Sequence, residues 1–353
     1  MVTYQRNAGK HPQGQNKKTP HLNTDIFSVS HCIVYVTSSC MSQKVLSYDL
    51  GGTKIAVGVI HRSGRIIDEI RAPAEFHLGK AAVLKKLIEL GKNFLDRHPE
   101  IQRVGVASAG PLDPIQGLLL SPTNFSTNHD QWKKVPIVRI LGAALKRSVH
   151  LENDAAAAVL AEHWMGSAKK FQNVMVLTLG TGLGTGVICN GKLVRSGRNL
   201  HPEAGHIILN FADQSAPCGC GNLGCAEAYL SGKYFSQRTC IKLRRSGLTG
   251  QEIAELARAR NRIALQAFDE YSTLMSIALQ NYIRLYTPEI ILFTGSFAEA
   301  SDLFLKATRT KLKAILKNQK GGLQWMPKLA LSSLDNRAGL LGGAYIALNS
   351  HQN

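Results

Sequence analysis

Three cysteines and one histidine have residue types and a spacing suited to a metal ion. Cys218, Cys220 and Cys225 form a C-x-C-x4-C cluster that contains three glycines. His206 precedes this cluster by twelve positions. Three thiolates and one imidazole make a complete tetrahedral zinc set, and the glycines argue against cysteines that merely pack. With four protein ligands the site is closed, so the predicted zinc ion is structural and activates no water.

Two glycine-rich loops have the composition of phosphate-binding turns. The first, residues 49–54, reads Asp-Leu-Gly-Gly-Thr-Lys, and the second, residues 179–186, reads Leu-Gly-Thr-Gly-Leu-Gly-Thr-Gly. Glycine lets the backbone approach a ligand and aim N–H groups at phosphate oxygens. No Gly-Lys-Ser/Thr follows the second loop, which excludes a P-loop, and the strand-like residues 187–189 after it exclude a dinucleotide fingerprint. A lone glycine hairpin is more often only a turn, whereas this pair predicts an ATP clamp between two domains.

Three carboxylates are candidates for chemistry. Asp49 ends a strand-like run, where a carboxylate could hold a magnesium ion through water. Asp154 follows Glu152-Asn153 and precedes four alanines, so spacing alone favours the N-cap of the helix that it begins. Glu203 lies three positions before His206, and it is either a solvated loop acid or an acid fixed by the metal loop.

The elements that position these residues alternate between strand and helix patterns. Strand-like runs at 45–48 and 55–60 flank the first glycine loop and predict a β-hairpin. The other predicted strands are at 104–107, 174–179, 187–189 and 290–293, and a helix is predicted over 155–164. Two more helices are predicted from apolar stripes. The first stripe is Leu84, Leu87, Ile88 and Leu95, and the second is Phe268, Tyr271, Met275, Ala278, Tyr282 and Leu285. This order predicts two α/β units, and the two glycine-bearing hairpins indicate a distant duplication.

Composition places the chain among folded proteins of two domains. Its 353 residues are 44% hydrophobic and 19% charged, which excludes a single small module and wholesale disorder. The formal net charge of +18 makes a polyanionic partner a hypothesis, although the basic residues form no dense run. The uncharged stretch 171–191 is rich in glycine and threonine, so we predict a strand and a loop there and no membrane span.

Residues 1–40 differ from the rest of the chain. They combine glycine, proline, glutamine and asparagine without a helix or strand period, which predicts a disordered tail. The apolar run 32–36 is too short and too late for a secretory signal, and Met41 is a hypothetical natural start. The cysteines outside the C-x-C-x4-C cluster are scattered, which indicates a reducing compartment, and we expect a cytoplasmic protein.

Together these motifs resemble the ROK family of sugar kinases and repressors. The resemblance rests on both glycine loops, on Glu203-Ala204-Gly205-His206 and on CGCGNLGCAE over 218–227. It implies an α/β, two-domain actin-like ATPase (ribonuclease H-like) fold with ATP and sugar bound in the interdomain cleft. The implied domains are a small α/β domain, 41–153, joined by a C-terminal helix, 337–353, and a large α/β domain, 154–336, with the zinc loop.

The resemblance also implies an activity, the ATP-dependent phosphorylation of a hexose primary hydroxyl by a glucokinase-like enzyme that forms a sugar 6-phosphate. Asp154 is then the general base, and the cofactors are ATP, Mg²⁺ and structural Zn²⁺. The implied sugar-binding residues are Gly110, Asn124, Asn153, Glu203, His206 and Glu227. The implied donor-side residues are Asp49, Gly51, Gly52, Thr53, Lys54, Gly180, Thr181, Gly182 and Gly295, and the implied zinc ligands are His206, Cys218, Cys220 and Cys225.

Several alternatives stay open at the level of sequence. Asn124 and Asn128 compete for one sugar contact, and the Ser-Pro context at 121–122 favours Asn124. The same family contains sugar-responsive transcriptional regulators, but the residues before Asp49 show no helix-turn-helix pattern. A polyphosphate-using glucokinase would suit the positive charge, and one sequence does not separate a hexose from an N-acetylhexosamine. We expect a homodimer or a larger homo-oligomer with neither membrane nor nucleic-acid partners.

Overall fold

The computed structural model describes residues 43–122, 125, 132–197 and 200–350. The predicted tail, Met41 and the two competing asparagines, Asn124 and Asn128, lie outside the described residues. The strands are β1 Lys44–Leu50, β2 Lys54–His61, β3 Ile66–Pro73, β4 Arg103–Ser108, β5 Leu112–Asp113, β6 Leu118–Leu119, β7 Ser148–Asn153, β8 Val174–Leu179, β9 Leu183–Cys189, β10 Lys192–Leu193, β11 Ile290–Thr294 and β12 Lys328–Leu331. The helices are α1 Lys80–Arg97, α2 Ile137–Leu145, α3 Asp154–Trp164, α4 Glu227–Leu230, α5 Gly232–Leu243, α6 Gly250–Arg258, α7 Arg262–Tyr286, α8 Ser301–Lys317 and α9 Ala338–Leu348.

Two five-stranded sheets repeat the same plan. The first has the order β3-β2-β1-β4-β7, with an antiparallel β1–β2–β3 meander and parallel β1, β4 and β7. The second has the order β10-β9-β8-β11-β12, with an antiparallel β8–β9 hairpin and parallel β8, β11 and β12. In both sheets a glycine loop joins the first two strands, so the two predicted hairpins and the α/β class are confirmed.

Two helices lie between the sheets. Helices α3 and α9 share one hydrophobic cluster with Val45 and Ile60 of the first sheet and with Val174 and Ile290 of the second. The Ser47 hydroxyl donates a hydrogen bond to the Leu340 carbonyl at 2.6 Å, which fastens α9 to the middle of the first sheet. Helix α9 therefore packs on the sheet that contains β1, although the two elements are far apart in the sequence. The domain boundaries at 153/154 and 337 stay predictions.

The apolar stripe predicted for α1 packs against the core, and the stripe predicted for α7 does so except at its last residue. In α1, Leu87 and Leu95 are buried, Leu84 and Ile88 are partly buried against the same hydrophobic cluster, and Val83 and Phe94 are additional core residues. In the long helix α7, Leu285 is 59% exposed. Tyr282 and Ile283 already occupy the core-facing positions of that last turn, so Leu285 points to solvent.

No helix in the described part of the chain is long and apolar enough to cross a membrane. The uncharged stretch 171–191 forms most of the β8–β9 hairpin, as predicted. The described cysteines, Cys189, Cys218, Cys220, Cys225 and Cys240, are all free thiols.

Candidate functional site

The carboxyl ends of the parallel strands meet at one edge of the first sheet. The register aligns Leu50 of β1 with Ser108 of β4, and Ser108 with Asn153 of β7. The first glycine loop and the residue pair Asn153-Asp154 therefore leave the sheet at the same level. This alignment brings a predicted donor loop and two predicted sugar-side residues to one place.

The N-cap of α3 is Asn153, and the N-cap interpretation of Asp154 is wrong. Asn153 has an extended backbone, and its Oδ1 accepts hydrogen bonds from the amides of Ala155 at 2.9 Å and Ala156 at 3.1 Å. Asp154 is the first residue of the helix; its Oδ1 accepts the Ala155 N–H at 2.8 Å, and its carboxylate also accepts a hydrogen bond from the Asn153 side chain. Since an asparagine caps a helix as well as an aspartate does, the Asp154 carboxylate is left available for other chemistry.

Two carboxylates interact at this sheet edge. The pKa of Asp49 is raised to about 7, mainly by burial and also by the negative charge of Asp154, while the positive charge of Arg71 opposes both effects. Burial also raises the pKa of Asp154, although the hydrogen bond from the Ala155 amide works against this. Like charges close together make each carboxylate a better proton acceptor or cation ligand than an isolated, exposed one.

A cluster of sugar-side candidates surrounds Gly110. A carbon attached to its Cα would lie 3.4 Å from Asn153 Nδ2 and 3.7 Å from His201 Cε1. His201 Nε2 lies 3.3 Å from Glu203 Oε1, and Glu203 Oε2 lies 3.9 Å from His206 Nε2. The structure thus brings together Gly110, Asn153, Glu203 and His206 as predicted.

His201 is an addition that the sequence interpretation missed. Burial, together with the nearby Arg195 charge, lowers the pKa of His201 to about 4, so its ring is neutral near pH 7. A neutral imidazole both donates and accepts a hydrogen bond. Its position two residues before Glu203 is the signal that could have drawn attention to it.

The predicted metal ligands converge. The ligand atoms of His206, Cys218, Cys220 and Cys225 all lie within 4.8 Å of one another. The Cys220 and Cys225 sulfurs are 3.7 Å apart, and Cys218 Sγ lies 3.5 Å from His206 Nδ1. A tetrahedron with Zn–S bonds of about 2.3 Å places two sulfurs about 3.8 Å apart, so the four side chains fit a zinc ion. His206 directs Nδ1 to this cluster and Nε2 to Glu203.

Glu227 connects the cysteine cluster to the second glycine loop. Its Oε2 accepts the Leu183 amide at 2.9 Å, and its Oε1 lies 3.6 Å from Cys218 Sγ. A side chain at Gly182 would begin 2.7 Å from Glu227 Oε2, so only glycine leaves room for this carboxylate. The second loop therefore borders the sugar-side candidates directly.

A cleft of about 470 Å³ borders the first glycine loop. Its described lining includes Thr53, Lys54 and Gly295, three of the predicted donor-side residues, but not Gly51, Gly52, Gly180, Thr181 or Gly182. Gly295 has a φ of 92°, and a Cβ there would lie 2.4 Å from the Leu179 carbonyl oxygen, so the β11 turn packs on the start of the second loop. Arg71, Asp335 and Asn336 also line this cleft, and the sequence interpretation named none of them.

An ion pair holds the strand end that carries Asn153. Glu152 is 2% exposed, and its Oε1 accepts the Asn153 amide at 2.9 Å. The Arg195 guanidinium donates to Glu152 Oε2 and lies 3.5 Å from Oε1. Arg195 follows β10, so the pair joins β7 of the first sheet to the segment that leads to Glu203.

Arg195→Gln should lower the free energy of unfolding by about 3 kcal/mol, because it leaves the buried Glu152 carboxylate without its cation. Denaturant unfolding measures the change. Arg258→Gln is the matched control, since the Arg258–Asp302 pair is exposed and is expected to contribute at most about 1 kcal/mol. Equal, small effects of both substitutions would show that Arg195 does not stabilise Glu152.

Comparison with known proteins identifies the family. The ROK family model matches residues 45–350. The chain belongs to the ROK family. A glucokinase from Thermotoga maritima is 29% identical over 86% of this chain and 96% of its own length. A xylose repressor from Caldicellulosiruptor bescii is 26% identical over 84% of this chain and 76% of its own length.

The solved structure of a ROK family glucokinase from Streptomyces griseus, in complex with glucose and AMPPNP, has a TM-score of 0.75 at 26% identity. The match covers 87% of this chain and 99% of that one. This ROK protein therefore has the two-domain actin-like ATPase fold predicted from its sequence. Its relatives support sugar phosphorylation at the level of the family.

Proposed function

We propose that this ROK protein catalyses the ATP-dependent phosphorylation of a hexose primary hydroxyl and forms a sugar 6-phosphate, as a glucokinase-like enzyme. The position of Asp154 carries the proposal. Its carboxylate is not needed as a cap, lies beside the sugar-side candidate Asn153, and interacts with Asp49 at the donor side. A general base between a sugar site and a phosphate site is what this transfer requires.

The proposed reaction is a single displacement. Asp154 accepts the proton of the sugar hydroxyl as that oxygen forms a bond to the γ-phosphorus of ATP. The bond between the γ-phosphorus and the bridging oxygen breaks, and ADP leaves with that electron pair. Phosphoryl transfer needs little covalent help, so positioning, charge neutralisation and exclusion of water supply most of the acceleration.

The sugar would be held by groups whose other bonds are already made. Asn153 uses Oδ1 for the cap and donates from Nδ2 to the Asp154 carboxylate, and the same Nδ2 lies beside Gly110, where its second N–H would reach a sugar hydroxyl. The carboxylates of Glu203 and Glu227 and the Nε2 of His206 would bind further hydroxyls. Asn124 remains a proposed contact without a described position.

Two metal ions fit the residues that are present. Asp49, with its buried carboxylate near Asp154, offers the hard oxygen ligand that Mg²⁺ prefers, and a magnesium ion there would neutralise phosphate charge. His206, Cys218, Cys220 and Cys225 suit a structural zinc ion, which would order the segments that carry Glu203 and Glu227. Asp154 does its work as a base without coordinating either ion.

The proposal also includes the domain boundaries, the oligomeric state and the cellular compartment of the protein. We propose a small domain of 41–153 with the C-terminal helix 337–353 and a large domain of 154–336. The packing of α9 on the first sheet supports this division. We further propose a homodimer or larger homo-oligomer that acts in the cytoplasm, where free cysteines persist.

A panel of sugars tests the proposal. Glucose, fructose, mannose, N-acetylglucosamine and N-acetylmannosamine are each assayed with Mg-ATP and with inorganic polyphosphate, and ADP and sugar phosphate are both quantified. We expect one hexose to be phosphorylated fastest, with ATP as donor. A sugar that binds without any phosphoryl transfer from either donor would instead support a sugar-responsive regulator.

A further inference from the structure

Three strands place Asp49 and Arg71 on one face of the first sheet. Asp49 of β1 lies opposite Ala56 of β2, and Ala56 lies opposite Arg71 of β3. Directly opposed residues of antiparallel strands direct their side chains to the same face, and neighbouring strands are about 4.8 Å apart. The intervening residue is only an alanine, so no large side chain of β2 separates Arg71 from Asp49.

The same face meets the beginning of α9. A carbon on Gly339, in the first turn of α9, would lie 2.4 Å from the Asp49 carboxyl carbon. Arg71 Nη1 donates to the Asn336 carbonyl at 3.2 Å, in the short turn that precedes this helix. A guanidinium and the N-terminus of an eleven-residue helix thus converge beside Asp49. The guanidinium carries a positive charge and the helix N-terminus a partial positive charge, and both favour the binding of an anion.

The Arg71 guanidinium retains capacity for a ligand. Its Nε lies 3.3 Å from Glu69 Oε1, in a pair whose two side chains are each about one-third exposed. Among the described residues, Nη2 has no hydrogen-bond acceptor. Arg71 lines the 470 Å³ cleft with Thr53 and Lys54 of the first glycine loop, so a ligand in this cleft lies next to the guanidinium-bearing side chain.

We propose that Arg71 binds the phosphate chain of the phosphoryl donor, across the sheet from Asp49. This inference rests on the proposed function, which makes the cleft the donor site. Planar guanidinium groups bind phosphate oxygens with two parallel hydrogen bonds, and a phosphoanhydride chain is common to nucleoside triphosphates and inorganic polyphosphate. The proposal therefore concerns the phosphate part of the donor and not its nucleoside.

Ligands of graded phosphate content test this role. Dissociation constants of Mg-ADP, AMP and adenosine are measured by calorimetry for the wild type, Arg71→Gln and Arg71→Lys. Arg65→Gln is the matched control, because Arg65 is an exposed arginine in the β2–β3 turn of the same sheet. We expect Arg71→Gln to lower the affinity for ADP by about tenfold and the affinity for adenosine by less than about twofold. The affinities of Arg71→Lys should lie between those of the wild type and of Arg71→Gln. The control should change neither affinity.

Donor kinetics distinguish the sources of the phosphate chain. If both donors are used, Arg71→Gln should raise the KM of ATP and of polyphosphate alike; if only ATP is used, its KM alone rises. Unchanged ADP affinity and donor KM in Arg71→Gln, or equal losses for ADP and adenosine, would overturn the role of Arg71 and leave the kinase proposal intact. A wild-type protein that binds neither ADP nor polyphosphate would overturn the donor site, and this inference with it.

Discussion

Asp154→Asn is expected to lower kcat by about two or more orders of magnitude while the protein stays folded. The asparagine amide cannot accept the hydroxyl proton. Thermal stability should change little, because the cap of α3 is provided by Asn153 and not by residue 154. Sugar affinity should also survive, so the loss falls on kcat rather than on KM.

Asn153→Asp is the matched control for this prediction. Aspartate caps a helix about as well as asparagine, so the cap of α3 is retained, but the Nδ2 donors beside Gly110 and Asp154 are lost. We therefore expect a higher KM for the sugar in Asn153→Asp, in contrast to the kcat effect at Asp154. Near-normal turnover in a folded Asp154→Asn protein would remove the general-base assignment.

Cys225→Ser is expected to lose the metal, to unfold more easily and to bind sugar more weakly. Cys225 is fully buried in the cluster with His206, Cys218 and Cys220. An incomplete ligand set releases the ion, and the binding energy of a structural zinc ion is also folding energy. Because His206 contacts Glu203 and Cys218 contacts Glu227, disorder in the cluster should reach the sugar site.

Cys189→Ser separates the metal effect from the loss of a thiol. Cys189 is a half-buried free cysteine at the end of β9, outside the cluster. Elemental analysis should find about one zinc ion per chain in the wild type and in Cys189→Ser, and none in Cys225→Ser. A wild-type protein without zinc, or a Cys225→Ser protein with full metal content and sugar affinity, would contradict the prediction.

Local patterns in the sequence were sufficient for both glycine hairpins, for the metal ligands and for strands β1, β2, β4, β8, β9 and β11, but not for β3, β5, β6, β7, β10 or β12. Strand-like runs on both sides of a glycine loop predict a hairpin from local sequence alone. Cysteines two and five positions apart lie close enough in the chain to bind one metal ion without help from distant residues. The stripe of α7 was less accurate at its end, since Leu285 follows Tyr282 by three positions and only tertiary packing shows that Leu285 points to solvent. The family resemblance supplied the fold and the roles of Asp154 and Glu203, which spacing alone left open.

The remaining site residues depend on contacts between distant parts of the chain. Arg195 reaches Glu152 across 43 positions, and Arg71 lies opposite Asp49 only through the register of three strands. Neither arginine has a motif around it, so no sequence pattern distinguishes it from other basic residues of a chain with net charge +18. Even the cap of α3 was assigned one residue too late, because aspartate and asparagine are equally good caps and stand side by side.

The most direct test of the proposed kinase activity is a phosphorus-31 NMR time course of the wild-type protein with Mg-ATP and the preferred hexose. The account predicts that one sugar phosphomonoester forms for each ADP, and that Asp154→Asn forms almost none over the same period. ADP accompanied only by inorganic phosphate, or a saturated sugar site with no consumption of ATP, would contradict it.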